Sequence, residues 1–239
     1  MAHNAVIVFC KPPVAGRVKT RLIGALSARQ AAEVHAACTQ DTVAMVNGVA
    51  GAQRWLYVAA DRAAARRLAR RLRLGRNWMM VTQHGADLGE RMRNAIEEQL
   101  HAGAEKVVIV GTDSPWMGRE RIARALRKLE KSQVVIGPSE DGGYYLIAAR
   151  QVVPKIFAGI LWGTSDVLPK TSQALRATRT KFHLLRSDFD LDRPEDLRRV
   201  VRMAARGRLR APQLKRWIRE SSRRLKPDRR NKKQRPGRG

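Results

Sequence analysis

The feature that most constrains this chain is a rhythm: short apolar runs bounded by turn or helix-start residues alternate with longer segments of helical period. The runs are Ala5 to Phe9, Trp55 to Ala59, Trp78 to Thr82, Lys106 to Val110, Gln133 to Ile136, Tyr144 to Ala148 and Phe182 to Leu185. Helical segments lie between the early ones, at Ser27 to Val46, Ala63 to Leu74, Leu88 to Leu100 and Arg119 to Leu129. Ser27 and Asp87 are suited to cap two of these, Gly118 to start another and Gly48 to stop the first. Strand and helix repeated in this way imply right-handed crossovers and a mainly parallel sheet covered on both faces. The runs at Tyr144 and Phe182 lack a simple preceding helix and are expected to enter antiparallel. No repeat of fixed period occurs.

The chain's 239 residues suffice for a sizeable core, and 44% hydrophobic against 29% charged residues is ordinary for a globular protein. No apolar run approaches the roughly 18 residues of a membrane helix, and Met1 leads into a run without a basic leader, so the expected location is the cytoplasm. Cys10 and Cys38 are the only cysteines and form no CxxC, which argues against a disulfide framework or a cysteine zinc site. His3, His35, His84, His101 and His183 show no zinc-type spacing and read as surface or packing residues, and no Gly-x-Ser-x-Gly elbow supports a serine hydrolase.

The net charge of +27 is unevenly placed: residues 198–239 hold 18 basic and 2 acidic side chains. This divides the chain into residues 1–208, the globular part, and 209–239, a basic helix and disordered tail. Leu214, Trp217, Ile218 and Leu225 recur at helical spacing among the arginines, after which apolar periodicity is lost. The helix is expected to dock on the domain; weak contact with nucleic acid or an anionic surface is the alternative. Genomic drift toward arginine would also produce such a composition.

In open α/β sheets ligands sit outside the carboxyl ends of the strands, and four such positions carry unusual sequence. Lys11 to Arg21 packs four cations around Gly16, but Arg17 and Val18 separate Gly16 from Lys19, so this is not a Walker loop. Its prolines donate no amide hydrogens, leaving Lys11, Lys19 and Arg21 to hold phosphate; a solvated basic loop is the plain alternative. Asp113, after the Lys106 to Val110 run and fixed by the following Pro115, can bind magnesium or manganese as a hard oxygen ligand, or merely cap a turn. Gly142 and Gly143 permit close approach of a ligand or a simple hairpin. Asp188, Asp190 and Asp192 would share one side of an extended segment, and their repulsion calls for a metal or arginines. An EF-hand fails there, because Arg193 stands where Gly is needed and Arg199 where Glu is needed.

These segments together resemble the glycosyltransferase-A superfamily of nucleotide-diphospho-sugar transferases. Within it the sequence is similar to a bacterial glycosyltransferase-like family (domain-of-unknown-function 2064) related to phospholactate guanylyltransferase, some of whose members are labelled arsenosugar-biosynthesis glycosyltransferases. The likeness rests on FCKPPVAGRVKTRL at Phe9 to Leu22, DLGERM at Asp87 to Met92, GTDSP at Gly111 to Pro115, GPSEDGGYYLI at Gly137 to Ile147, LWGTSDVL at Leu161 to Leu168 and DFDLDRPEDL at Asp188 to Leu197. It implies a single Rossmann-like domain with a mixed, mostly parallel sheet. It further implies that Lys11, Gly16, Lys19 and Arg21 hold the nucleotide phosphates. Asp113 would be the main metal ligand, with Asp190 and then Asp192 completing a magnesium or manganese site. Asp141, Gly142, Gly143, Gly163 and Thr164 would border the acceptor, with Asp141 as an acceptor-side base. Arg193 replaces the family's usual Thr and weakens the assignment of Asp192. The implied activity is metal-dependent transfer of a sugar from a nucleotide sugar to a small acceptor. Nucleotidyl transfer from a triphosphate to a phosphorylated small molecule is the first alternative, and a degenerate scaffold with a nucleic-acid-binding tail the second. Oligomeric state is not encoded in any of these motifs.

Overall fold

Alternation within each apolar run decides how the layers assemble. In the computed structural model, which describes residues 3–224, the first strand β1 (His3–Cys10) sends Val6, Val8 and Cys10 to one face and Ala5, Ile7 and Phe9 to the other. Both sets are buried, as expected for a central strand covered on two sides. The chain continues through α1 (Ala28–Asn47), β2 (Ala52–Val58), α2 (Arg62–Arg71), β3 (Trp78–Thr82), α3 (Leu88–His101), β4 (Ala104–Val110) and α4 (Arg119–Lys128). It then forms β5 (Val134–Pro138), β6 (Tyr144–Ala149), α5 (Val167–Ala177), β7 (Phe182–Leu184), α6 (Pro194–Ala205) and α7 (Pro212–Arg224).

The seven strands make one sheet in the order β3-β2-β1-β4-β6-β5-β7. The pairs β1–β2, β1–β4, β2–β3 and β5–β7 are parallel, while β6 runs against both neighbours. The fold is therefore α/β with a mixed, mostly parallel sheet. Of the two runs expected to enter antiparallel, β6 does so and β7 does not. The helix α5 supplies the crossover that returns the chain parallel to β5.

Helices α1, α2 and α4 cover one face, and α3 and α5 the other. Ser27 caps α1 in a full capping box with Gln30, and Asp87 caps α3 by accepting from Glu90 N–H at 2.9 Å. A third apolar cluster lies outside α1, where α6 and α7 pack through Val200, Leu214 and Ile218. Asp41, on α1, accepts hydrogen bonds from the Gln213 and Leu214 amides at 2.9 Å each and so caps α7 from outside that helix. The basic helix thus docks on the domain; Leu225 and the segment after it lie outside the described residues. No helix among the described residues is long and apolar enough to cross a membrane.

Candidate functional site

Because β6 reverses, the β5–β6 turn opens at the same sheet edge as the segments after β1 and β4. A pocket of about 530 Å³ lies there. Lys11, Lys19, Arg21, Asp113, Asp141, Gly143, Gly163, Thr164, Asp190 and Asp192 all line it. Of the residues expected to hold phosphate, metal or acceptor, only Gly16 and Gly142 do not. Gly16, at φ 76°, forms the tip of the cationic loop. Gly142, at φ 89°, has its open side so close to the chain that a Cβ would come within 2.3 Å of the Ser165 carbonyl oxygen. That close approach clamps the glycine turn to the 163–166 loop, and Leu168 N–H donates to Gly142 O at 2.8 Å to complete the joint.

The cationic loop does more than offer charge to solvent. Lys19 adopts the left-handed conformation at φ 49°, an uncommon state for a residue with a side chain, and its side chain is only 3% exposed. Its ammonium lies 2.5 Å from Asp113 Oδ1, 3.1 Å from Asp192 Oδ1 and 2.5 Å from the Leu191 carbonyl oxygen. Burial works against this charge, but Asp113 and Asp192 outweigh it and hold the Lys19 pKa above its ordinary value. Arg21 reaches Asp192 at 3.4 Å. The cations that meet Asp192 are thus Lys19 and Arg21; Arg193 is exposed and, among the described residues, pairs with neither Asp190 nor Asp192.

Asp113 keeps one oxygen open. Its Oδ1 is buried against the Lys19 ammonium, yet the side chain as a whole is 40% exposed, so the exposure lies on its remaining atoms, Oδ2 among them. Burial raises the Asp113 pKa, but Lys19 and then His35 overcome that and leave it below its ordinary value. Asp190 is held by hydroxyls: Ser114 Oγ donates to its Oδ1 and Ser139 Oγ to its Oδ2 at 2.9 Å. Burial, and then the charge of Asp113, push the Asp190 pKa up to about 7. A cation between these carboxylates would relieve that repulsion. Two carboxylates completed by substrate phosphates form an ordinary magnesium-type site, so these residues fit a divalent ion. Asp192, already shared by two cations, fits it less well.

Asp188 does not join its neighbours. Its carboxylate pairs with Arg121 at 2.8 Å and accepts from Trp116 Nε1 at 3.2 Å, holding the segment after β7 against α4. Four contributors escaped the sequence reading. Ser114 and Ser139 sit inside the quoted motifs, but a serine in a turn gives no sign of which carboxylate its hydroxyl will meet. His35, buried on α1, contacts the Lys11 carbonyl oxygen at 3.0 Å, and burial lowers its pKa. Trp162 reaches the pocket wall because α3 offers Gly89, where a Cβ would lie 2.4 Å from the indole.

Residues 42–164 match the model of a family described as an uncharacterized protein conserved in bacteria, DUF2064. Among solved structures, a Desulfovibrio desulfuricans protein provisionally named a nucleotide-diphospho-sugar transferase is 30% identical, with a TM-score of 0.86 over 93% of this chain and 96% of that one. A cytidylyltransferase from Leptospira borgpetersenii has a TM-score of 0.55 at 8% identity, over 95% and 98% of the two chains. A Mycobacterium tuberculosis protein solved in complex with manganese has a TM-score of 0.50 at 16% identity, over 83% and 97%. The last two likenesses are of fold. No curated protein matches the sequence.

Proposed function

The chain belongs to the bacterial DUF2064 family, and on that premise we propose that it is a nucleotide-using transferase that moves a sugar from a nucleotide sugar to a small acceptor. The observation that carries this reading is the joint made by Lys19, which ties the cationic loop to both acidic segments at the pocket floor. Lys11 and Arg21 would take the donor's phosphates on the open side of that joint. Asp113 Oδ2 and Asp190 would hold magnesium or manganese. The ion, when bound, supplies positive charge to the departing diphosphate.

The protein's own groups do the rest. Lys19 fixes Asp113 so that its open oxygen faces the substrates without rearrangement, which is how a preorganised site stabilises developing charge. Ser114 and Ser139 orient Asp190 and offset part of the cost of burying it. Asp141, whose Oδ1 accepts from Gly143 N–H at 3.0 Å, keeps its other oxygen available to take the acceptor's proton. Nucleotidyl transfer would use the same loop and floor, and the cytidylyltransferase likeness in fold is the reason to test it.

The test is thermal stabilisation by a panel of nucleoside triphosphates and nucleotide sugars, with magnesium, manganese or chelator, for the wild type and Asp113→Ala. A ligand that binds only the folded chain at about 100 times its Kd adds about 2.7 kcal/mol of stability. We expect stabilisation by a nucleotide sugar that requires the metal and disappears in Asp113→Ala. Stabilisation unchanged by chelator and by the substitution would refute the metal role, and no stabilisation by any nucleotide would refute the reading.

A further inference from the structure

We infer that the acceptor is an uncharged hydroxyl compound with an apolar body, so that the pocket carries out glycosyl rather than nucleotidyl transfer; the inference rests on the transferase reading above. The pocket's lysines and arginines are Lys11, Arg17, Lys19 and Arg21, all from the single loop after β1. Two of these are already engaged, Lys19 by Asp113 and Asp192 and Arg21 by Asp192. The opposite wall, built by the β5–β6 turn, β6 and the loop into α5, adds a carboxylate, Asp141, and, among the described residues, no cation.

The pocket's four cations face four carboxylates, Asp113, Asp141, Asp190 and Asp192, so its net formal charge is close to zero. A divalent ion then balances the roughly two negative charges of a nucleotide sugar, whereas a triphosphate with a phosphorylated acceptor brings about six. Among the described residues, an anionic acceptor on the far wall would meet no counter-charge except the ion already shared with the donor. Burying that charge unpaired is costly.

What the far wall does offer is apolar surface held in place. Trp162 is pressed on Gly89 and meets Tyr144 edge-on, with ring centroids 6.2 Å apart. Met92 and Val167 also line the pocket. Leu88, also lining it, is 44% exposed. Aromatic rings fixed in this way suit the apolar flank of a neutral ligand. In the step implied, the acceptor hydroxyl oxygen bonds to the donor's anomeric carbon as that carbon's bond to the diphosphate oxygen breaks. The electron pair leaves with the nucleoside diphosphate, and the hydroxyl proton passes to Asp141.

The experiment gives the full chain a metal, the nucleotides that stabilise it, and either neutral acceptors (phenyl β-D-glucopyranoside, benzyl alcohol) or anionic ones (glycerol 3-phosphate, 3-phosphoglycerate), and reads products by mass. We expect a glycoside and free nucleoside diphosphate from the neutral set. We also expect Trp162→Ala to raise the KM for these acceptors about tenfold, a loss of about 1.4 kcal/mol, with stabilisation by the nucleotide retained. Binding to the donor-loaded protein, followed as the fluorescence difference between wild type and Trp162→Phe, ranks the same acceptors without turnover. Pyrophosphate release with a phosphorylated acceptor, tighter binding of the anions, or binding of neither set overturns the inference while leaving the donor site standing. Failure of every nucleotide to stabilise the chain removes the transferase reading and this inference with it.

Discussion

Lys19 shows how one side chain organises a polar floor. Its left-handed backbone turns the ammonium inward, where it holds two segments that each lie more than ninety positions from it in the sequence. Removing one partner of a fully buried ion pair costs about 3–5 kcal/mol, and the 40% exposure of Asp113 discounts that here to about 1–3 kcal/mol. Lys19→Met should therefore destabilise the fold by that amount in urea denaturation and abolish stabilisation by nucleotide. A stable variant that still bound nucleotide would show that the joint is decorative. Asp190 gives the pH dependence. Its folded pKa of about 7 lies above the ordinary 3.8, so between these values the folded chain binds the extra proton and stability falls as pH rises. Asp113, held below its ordinary value, acts in the opposite sense and loses its contribution as pH falls through its folded pKa. Asp190→Asn should raise the melting temperature at pH 8, leave it nearly unchanged at pH 4, and flatten the slope between; an unaltered slope would place the titration elsewhere.

At the scale of elements, α7 depends on α1 for both its cap and its core. Leu214 is fully buried, and Trp217 Nε1 donates to Glu33 at 3.3 Å. Asp41→Ala should cost about 1–2 kcal/mol as a lost cap, and Leu214→Ala about 2–4 kcal/mol as a cavity. Early tryptic cleavage between α6 and α7 in both variants, and not in the wild type, would register the undocking. The strands and the first four helices were legible because their apolar period and caps agree, as at Ser27 and Asp87. The helix α5 was not: Asp166 makes no side-chain cap there, and Pro169 in the first turn reads as a breaker although it occupies a position that needs no amide hydrogen. Missing α5 is what made β7 look antiparallel. In the site, charged residues after strand ends were readable from type and position. Asp188 misled because an alternating acidic run predicts a common side, whereas Arg121 and Trp116 draw that one carboxylate away. Trp162 was unreadable because its place depends on a glycine more than seventy residues earlier.

For the molecule as a whole, the two cysteines report on integrity. Cys10 ends β1 and Cys38 lies within α1; both are buried and free, and burial pushes both thiols up to about 12. A thiol reagent should leave the native protein unlabelled and modify both residues only as it unfolds globally, while rapid labelling of either in native buffer would reveal local opening beside the pocket. The clamp between Gly142 and Ser165 has a different kind of consequence. It makes the glycine turn and the 163–166 loop one wall, separate in sequence from the cationic loop and from the acidic floor. On the transferase reading proposed above, substitutions in that short stretch would remodel what the second substrate meets while leaving the donor's groups intact. A chain built this way would be able to change acceptor and keep its nucleotide chemistry.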